Sequence, residues 1–204
     1  MNDIVLIIFQ LVVLILSVMI HEVSHGYIAY LLGDNTAKDA KRLNLNPLNH
    51  LDPFGSVLLP LLLYFSTGGA FVIGWAKPVP YNPFNLKNPK SGSGLIALAG
   101  PSSNFLIAIF SAVILKFQII FSQSIINPIF LQIVIMMNIS LMIFNLIPIP
   151  PLDGSKILFS LLPSKWFKFQ HVLERYGLWF LIIFIFFGFS LITPIIFWLY
   201  NLLA

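Results

Sequence analysis

The segment HEVSH, residues 21–25, follows an apolar run that ends at Ile20. In the pattern H-E-x-x-H on a helix, two histidines at i and i+4 project from one face and can hold one zinc ion, while the glutamate reaches a metal-bound water. His21, Glu22 and His25 fit this pattern. The alternative is a pair of buried histidines satisfied by neighbouring groups. Because ionisable side chains are costly inside a membrane, the pattern favours a metal site.

A third metal ligand is expected elsewhere in the chain, because a catalytic zinc usually has three protein ligands and one open position. The chain contains no cysteine, which leaves His, Asp and Glu as the strong side-chain ligands. Asp153 is the best candidate, since it follows an apolar segment in NLIPIPPLDG, where prolines favour extended backbone and Gly154 allows close approach. The alternative role for Asp153 is the N-cap of a helix over SKILFSLL.

His50 has two interpretations. In LNHLDP it is a hydrogen-bond partner of a zinc ligand or a further ligand, or it is a surface histidine beside the Asp-Pro turn at Asp52. The surface interpretation is favoured, because Asp-Pro is a common turn sequence.

The elements that must position these residues are membrane helices. Of 204 residues, 58% are hydrophobic and 9% charged, with a mean hydropathy of +0.94, whereas soluble domains have about 25% charged residues. Four segments approach the roughly 20 apolar residues that cross a bilayer, at residues 4–20, 95–114, 125–147 and 177–203. The first lacks the basic region and cleavage site of a signal peptide, which favours a retained span.

The remaining segments complete a prediction of an all-α integral membrane protein with one domain over residues 1–204. The first helix should end at Gly33-Asp34-Asn35. Residues 54–74 form an apolar stretch that is interrupted by Pro60 and Gly68-Gly69. This stretch predicts either a re-entrant segment or a fifth or sixth membrane segment. The proline-rich residues 76–94 predict an extended loop. Residues 155–176 predict a stretch at the membrane interface, anchored by Trp166 and neighbouring lysines.

The positions of the basic residues predict how the chain is oriented in the membrane. They cluster in three loops, around residues 38–42, 77–90 and 156–175, and only Lys116 is placed on the other side. If residues 54–74 re-enter without crossing, these loops share one face, which the positive-inside rule makes cytoplasmic. The N-terminus is then outside, and the site lies in the cytoplasmic half. The net charge of +4 is explained by these loops, so no nucleic-acid partner is predicted.

Three ordered motifs resemble those of the site-2 protease family of intramembrane zinc metalloproteases, in its small bacterial branch. They are HEVSH in one span, GPSSN at the start of a second and NLIPIPPLDG after a third, with LNPLNHLDPFGS and GWAKPVPYNP between the first two. The resemblance covers nearly the whole chain. It implies one zinc ion, held by His21, His25 and Asp153, and Glu22 as the general base.

The resemblance also places Asn104 and Asn145 near the site, as substrate or oxyanion donors; their alternative role is hydrogen bonding between helices. It implies a bacterial inner-membrane location and a transmembrane protein substrate that unwinds and pairs with residues around IPIP or AFVIGW. No PDZ or CBS domain is expected, and the oligomeric state is open.

Two other functions compete with this one. A metal-ion transporter also places His and Asp in spans, but it predicts ligands spread over several spans and has no need of Glu22. A catalytically idle family member would bind zinc without hydrolysis, and the intact base argues against it.

Overall fold

A computed structural model of the protein describes residues 3–50, 52–58, 62, 66, 77–121 and 126–204. These residues form helices and turns and contain no β-strand. The α-helices are α1 (Asp3–Leu31), α2 (Thr36–Asp39), α3 (Pro89–Ile120), α4 (Pro128–Asn145), α5 (Asp153–Leu161), α6 (Phe167–Ile183) and α7 (Phe189–Leu203). Short 3₁₀ turns lie at Pro47–Asn49, Pro83–Asn85 and Ser164–Trp166, and π-helical turns at Pro53–Leu58 and Phe184–Gly188.

Four helices in the described residues are long and apolar enough to cross a membrane. They are Asp3–Leu31, Pro89–Ile120, Pro128–Asn145 and the continuous helix Phe167–Leu203, which comprises α6, the second π-helical turn and α7. The prediction of an all-α integral membrane protein with four spans is therefore confirmed. The further membrane segment predicted over 54–74 falls largely outside the described residues and stays a prediction.

Two predicted boundaries are wrong. The loop predicted over 76–94 ends at Asn88, whose side chain accepts a hydrogen bond from the Ser91 backbone N–H and caps α3, with Pro89 in the first turn. The last span begins at Phe167 rather than at residue 177. The predicted interfacial stretch is thus divided between α5 and the first turns of the last span. Its charged residues Lys168 and Arg175 lie on the exposed side of that last helix.

Helix α3 lies at the centre of the bundle, where it packs against α1, α4 and α5. Its buried positions include many small residues: Gly92, Gly94, Ala97, Gly100, Ala108, Ser111 and Ala112. In lipid, small residues let helix backbones approach closely and gain van der Waals contact. This close approach brings α1 and α5 together beside α3.

The end of α1 is fixed by Asp34, whose side chain is fully buried. Gly33 adopts a φ of +102°, as a C-terminal glycine should, which confirms the predicted helix end. The Asp34 carboxylate accepts hydrogen bonds from the Thr36 backbone N–H at 3.1 Å, the Asn82 backbone N–H at 2.7 Å and the Asn85 amide at 2.7 Å. Asp34 therefore ties α1 to the segment that precedes α3.

Asp34→Ala is expected to lower the free energy of unfolding by about 2 kcal/mol, because it removes three hydrogen bonds to a buried carboxylate. Burial raises the pKa of Asp34, but hydrogen bonds from Thr36, Asn85 and Asn82 lower it, so that it lies below its ordinary value of 3.8. The stabilisation is therefore complete above pH 3.8 and is lost as the pH falls through the lower pKa of the folded state. Thermal unfolding in detergent against pH measures both effects. The exposed-site variant Asp39→Ala is the control, and an equal loss there would contradict the assignment.

Candidate metal centre

Three predicted ligands from two helices converge on one point. The Nε2 atoms of His21 and His25 lie 3.0 Å and 3.2 Å from the same atom, Oδ2 of Asp153. The histidines share one face of α1, as their spacing predicts, and Asp153 is the first residue of α5. All three residues are buried, with exposed fractions of 6%, 9% and 7%. Side chains 132 positions apart in the chain thus form one cluster.

The carboxylate of Asp153 faces the histidines because of the local backbone before α5. Leu152 occupies the N-cap position with extended φ and ψ, and no side chain caps this helix end. The alternative of an Asp153 N-cap is therefore wrong. Gly154 lies directly against the carbonyl oxygen of Leu146, where a Cβ atom would overlap it, which confirms the predicted close approach. The preceding segment contains turns, such as the hydrogen bond from the Leu152 N–H to the Ile149 oxygen, and is not continuously extended as predicted.

The other ring nitrogen of each histidine is held by an acceptor. His21 Nδ1 lies 2.6 Å from the side-chain oxygen of Asn104, and His25 Nδ1 lies 2.6 Å from the backbone oxygen of Ile96. These acceptors place a proton on each Nδ1, and in the neutral imidazole the Nε2 lone pair then faces Asp153. Metal-ligating histidines are held in this way in general.

The cluster fits a divalent metal ion. In their neutral form the two imidazoles direct lone pairs at one carboxylate oxygen, an arrangement that a cation bound between them stabilises. Their separations of 3.0 and 3.2 Å are close to the roughly 3.3 Å between ligands at about 2.0–2.1 Å in a tetrahedral zinc site. Ligand atoms of His21, Glu22 and His25 also lie within 4.8 Å of one another, so Glu22 is near the same point.

Glu22 is held by a main-chain group that the sequence did not point to. Its Oε2 atom accepts a hydrogen bond of 2.9 Å from the backbone N–H of Val79. The segment around Val79 is itself fixed, because the Lys77 N–H donates to the His50 oxygen and Arg42 donates to the Lys77 oxygen. One carboxylate oxygen of Glu22 is thus anchored.

A chain of buried amides extends from His21 into two further helices. Asn104 on α3 accepts from His21 Nδ1 and donates to the side-chain oxygen of Asn138 at 3.0 Å; Asn138, on α4, donates to the Val134 oxygen at 2.9 Å. Both asparagines are fully buried. Sequence reasoning missed Asn138, although a lone asparagine in an apolar span was a usable signal. The chain supports the interhelical alternative for Asn104.

Asn138→Ala is expected to weaken metal binding by up to about 10-fold, less than the 10- to 100-fold loss that follows removal of a direct hydrogen-bond partner of a metal ligand. The change leaves the Asn104 amide without its acceptor, so the side chain that holds the His21 ring is less firmly oriented. Competition with a zinc-binding dye measures the affinity. Ser140→Ala on the same helix removes only a bond to the backbone oxygen of Met136 and should change little. Wild-type affinity in Asn138→Ala would show that Asn104 alone holds the ring.

Gly100, in GPSSN, leaves room for both histidines. A Cβ atom there would lie 2.5 Å from the Nε2 atoms of His21 and His25. Because real Cβ contacts of this length do not occur, a side chain at residue 100 would displace the two rings. In the motif GPSSN the sequence pointed to Asn104 alone, and no role was predicted for Gly100.

Gly100→Ala is expected to abolish stoichiometric metal binding while the spans remain folded. The added methyl group occupies space beside the two Nε2 atoms, and alanine suits a helix better than glycine does. Metal analysis and circular dichroism of the purified protein test both parts. Ser102→Ala, at an exposed position of the same helix, should keep its metal. Normal metal content in Gly100→Ala would mean that the rings have another position from which to bind.

Two further residues predicted for the site, Asn145 and His50, make no described contact with His21, His25 or Asp153. Asn145 donates to the Leu141 oxygen of its own helix at 3.0 Å and is half-buried. His50 is 2% exposed and bonds through Nε2 to the Asn44 oxygen at 2.8 Å. The surface interpretation of His50 is therefore wrong, because the residue is buried and its backbone oxygen accepts a hydrogen bond from the Lys77 N–H. No described contact joins His50 to the metal ligands.

A buried H-E-x-x-H cluster among membrane helices is the pattern of a membrane metalloprotease. The sequence model of peptidase family M50 matches residues 117–184. The chain is 36% identical over 184 residues to a Bacillus subtilis protein named "Putative zinc metalloprotease YwhC", covering 87% of this chain and 80% of that protein. The chain therefore belongs to peptidase family M50, the site-2 type of metalloprotease.

More distant relatives carry similar names. "Putative zinc metalloprotease Rip2" of Mycolicibacterium smegmatis is 29% identical over 145 residues, covering 69% of this chain and 52% of that protein. "Zinc metalloprotease MJ0392" of Methanocaldococcus jannaschii is 28% identical over 155 residues, covering 76% of this chain and 34% of that protein. The chain thus spans about half of the first and a third of the second. No solved structure matches the chain.

Proposed function

We propose that this chain is an intramembrane zinc endopeptidase that hydrolyses peptide bonds in or near transmembrane segments of other membrane proteins, as in regulated intramembrane proteolysis. The observation that supports this most directly is the convergence of two Nε2 atoms and one carboxylate oxygen, with Glu22 beside them, in a membrane-helix bundle. The names of the relatives, which include zinc metalloproteases, support zinc as the metal.

One zinc ion would be held by His21, His25 and Asp153. When bound, zinc polarises the scissile carbonyl and lowers the pKa of bound water toward 7. Glu22 then accepts the proton of the attacking water on one carboxylate oxygen and delivers it to the leaving amine. Because the Val79 N–H binds Oε2 of Glu22, that hydrogen bond orients the carboxylate for proton transfer.

The two predicted oxyanion donors, Asn104 and Asn145, differ in whether their side-chain amides can still donate a hydrogen bond to a substrate. Asn104 is fully buried and its amide engages His21 and Asn138, so Asn104 orients a ligand. Asn145 uses one N–H for the Leu141 oxygen, and the second amide hydrogen remains for a substrate oxygen. Asn145 is therefore our candidate for the oxyanion donor.

A helical substrate must unwind before its peptide bonds become accessible. Of the two segments predicted to pair with it, the IPIP residues form turns, as the hydrogen bond from the Ile149 N–H to the Ile147 oxygen shows. A turn does not offer a regular edge for strand pairing. The AFVIGW segment, residues 70–75, lies outside the described residues, and pairing there stays a prediction.

The proposed location is the bacterial cell membrane, with the N-terminus outside and the metal centre in the cytoplasmic half. The basic residues of three loops support this orientation through the positive-inside rule. The two histidine ligands, His21 and His25, lie in the C-terminal half of α1, toward the loop that contains Lys38 and Arg42.

Purified protein with a model transmembrane substrate tests the proposed function. We expect zinc near one equivalent, cleavage of the substrate, and loss of cleavage on treatment with 1,10-phenanthroline that added zinc restores. Zinc binding without cleavage of any membrane substrate would contradict the proposal and support an idle family member. Zinc uptake by liposomes containing the protein would support the transporter alternative instead.

A further inference from the structure

A cavity of about 530 Å³ lies apart from the metal centre, between the first turns of α3, helix α5 and the first turns of α6. The two membrane-crossing helices Pro89–Ile120 and Phe167–Leu203 both begin at this cavity. The cavity therefore lies at one end of the helix bundle, the end that also carries the basic segments 77–90 and 156–175.

Two cations line the cavity without an acidic partner. Lys90 donates to the backbone oxygen of Leu162, and the Lys156 ammonium lies 5.4 Å from the centre of the Tyr81 ring. Glu174 also lines the cavity and accepts a hydrogen bond from Gln170. Among the described residues, no carboxylate lies within 4.0 Å of either ammonium group. The positive charge at this site is thus available to an anion.

The rest of the wall is apolar and aromatic. Phe159, Pro163, Trp166 and Phe167 line the cavity beside the two lysines. Trp166, 47% exposed, belongs to the 3₁₀ turn between α5 and α6. Tryptophan prefers the headgroup level, where one side of the ring is apolar and the other polar. A ligand with an anionic group attached to hydrocarbon chains matches both parts of the wall.

We propose that this cavity binds the headgroup of an anionic phospholipid, with its phosphate between Lys90 and Lys156 and its glycerol and upper acyl chains against Phe159 and Phe167. Basic pockets between helices at the cytoplasmic surface bind anionic headgroups in this way. A soluble phosphate would gain only the charged half of the site, so the occupant is the lipid. The binding does not depend on the proposed proteolysis.

Quenching of Trp166 fluorescence by brominated lipids tests the proposal. The full chain, with Trp75, Trp179 and Trp198 replaced by Phe, is reconstituted in phosphatidylcholine vesicles with brominated phosphatidylglycerol or brominated phosphatidylcholine as the quencher. We expect phosphatidylglycerol to quench at lower mole fractions. In the pair Lys90→Gln/Lys156→Gln, this preference should weaken roughly 10- to 30-fold, since each lysine near a membrane surface contributes about one tenfold step or less.

Three controls decide the outcome. Lys38→Gln/Lys41→Gln removes the same charge at exposed positions and should keep the preference, as should the charge-preserving pair Lys90→Arg/Lys156→Arg. Quenching by brominated phosphatidylcholine, expected to be the same in all variants, reports folded and inserted protein. Equal quenching by the two lipids in wild type, an equal loss in the first control pair, or displacement by millimolar inorganic phosphate would each overturn the proposal.

Discussion

Glu22→Gln is expected to keep its metal and its fold while losing about 10²- to 10⁴-fold in the rate of substrate cleavage, the usual contribution of a general acid–base. Glutamine has nearly the shape of glutamate, and its side-chain oxygen can still accept the hydrogen bond from the Val79 N–H. What it lacks is the capacity to take a proton from water. Single-turnover cleavage of a model transmembrane substrate, with zinc content measured on the same sample, checks this prediction.

The chain offers a matched control for this change. Glu174 and Glu22 are its two glutamates, and Glu174 lies in the first half of α6, where it accepts a hydrogen bond from Gln170. Glu174→Gln should cleave at the wild-type rate. If Glu22→Gln retained activity, Glu22 would not be the base. If it lost zinc as well as activity, the carboxylate would be acting as a ligand.

Asp153→Ala is expected to lower zinc affinity by more than about 100-fold and to abolish cleavage with it. Loss of a direct hydrogen-bond partner of a metal ligand already costs 10- to 100-fold, and Asp153 supplies the oxygen atom that both histidines face. The change also removes the negative charge that offsets the ion. Zinc affinity by dye competition measures the first effect, and cleavage at saturating zinc measures the second.

The control for this change is Asp39→Ala, which removes an exposed carboxylate at the end of α2 and should leave the zinc affinity unchanged. Asp153→Asn refines the test, because the amide oxygen keeps the shape of the ligand without its charge, and we expect intermediate affinity. Wild-type zinc affinity in Asp153→Ala would mean that the third ligand is another residue.

Within the candidate site, the arrangement most accessible from sequence is the one that depends on spacing along one helix. His21 and His25 fall on one face because the helix places residues i and i+4 together, and Glu22, three residues before His25, lies beside that face. Asp153 was reached by elimination among few carboxylates and by the direction of the spans. The Val79 N–H and Asn138 were not predicted, because a backbone donor leaves no trace in residue type and the Asn104–Asn138 contact depends on how α3 rotates against α4.

The start of the last span was placed about ten residues late for a related reason, since an exposed polar helix and a loop have similar composition.

The amide chain from His21 through Asn104 to Asn138 has a consequence for how the bundle assembles. Lipid provides no hydrophobic drive between helices, so polar links decide which helix faces meet. The first bond joins α1 to α3, the second joins α3 to α4, and the third returns to the α4 backbone. A helix rotated out of place would leave an amide unpaired in hydrocarbon. The groups that orient a zinc ligand thus also fix how each helix is rotated about its own axis. When these hydrogen bonds have formed, α1, α3 and α4 present the correct faces to one another.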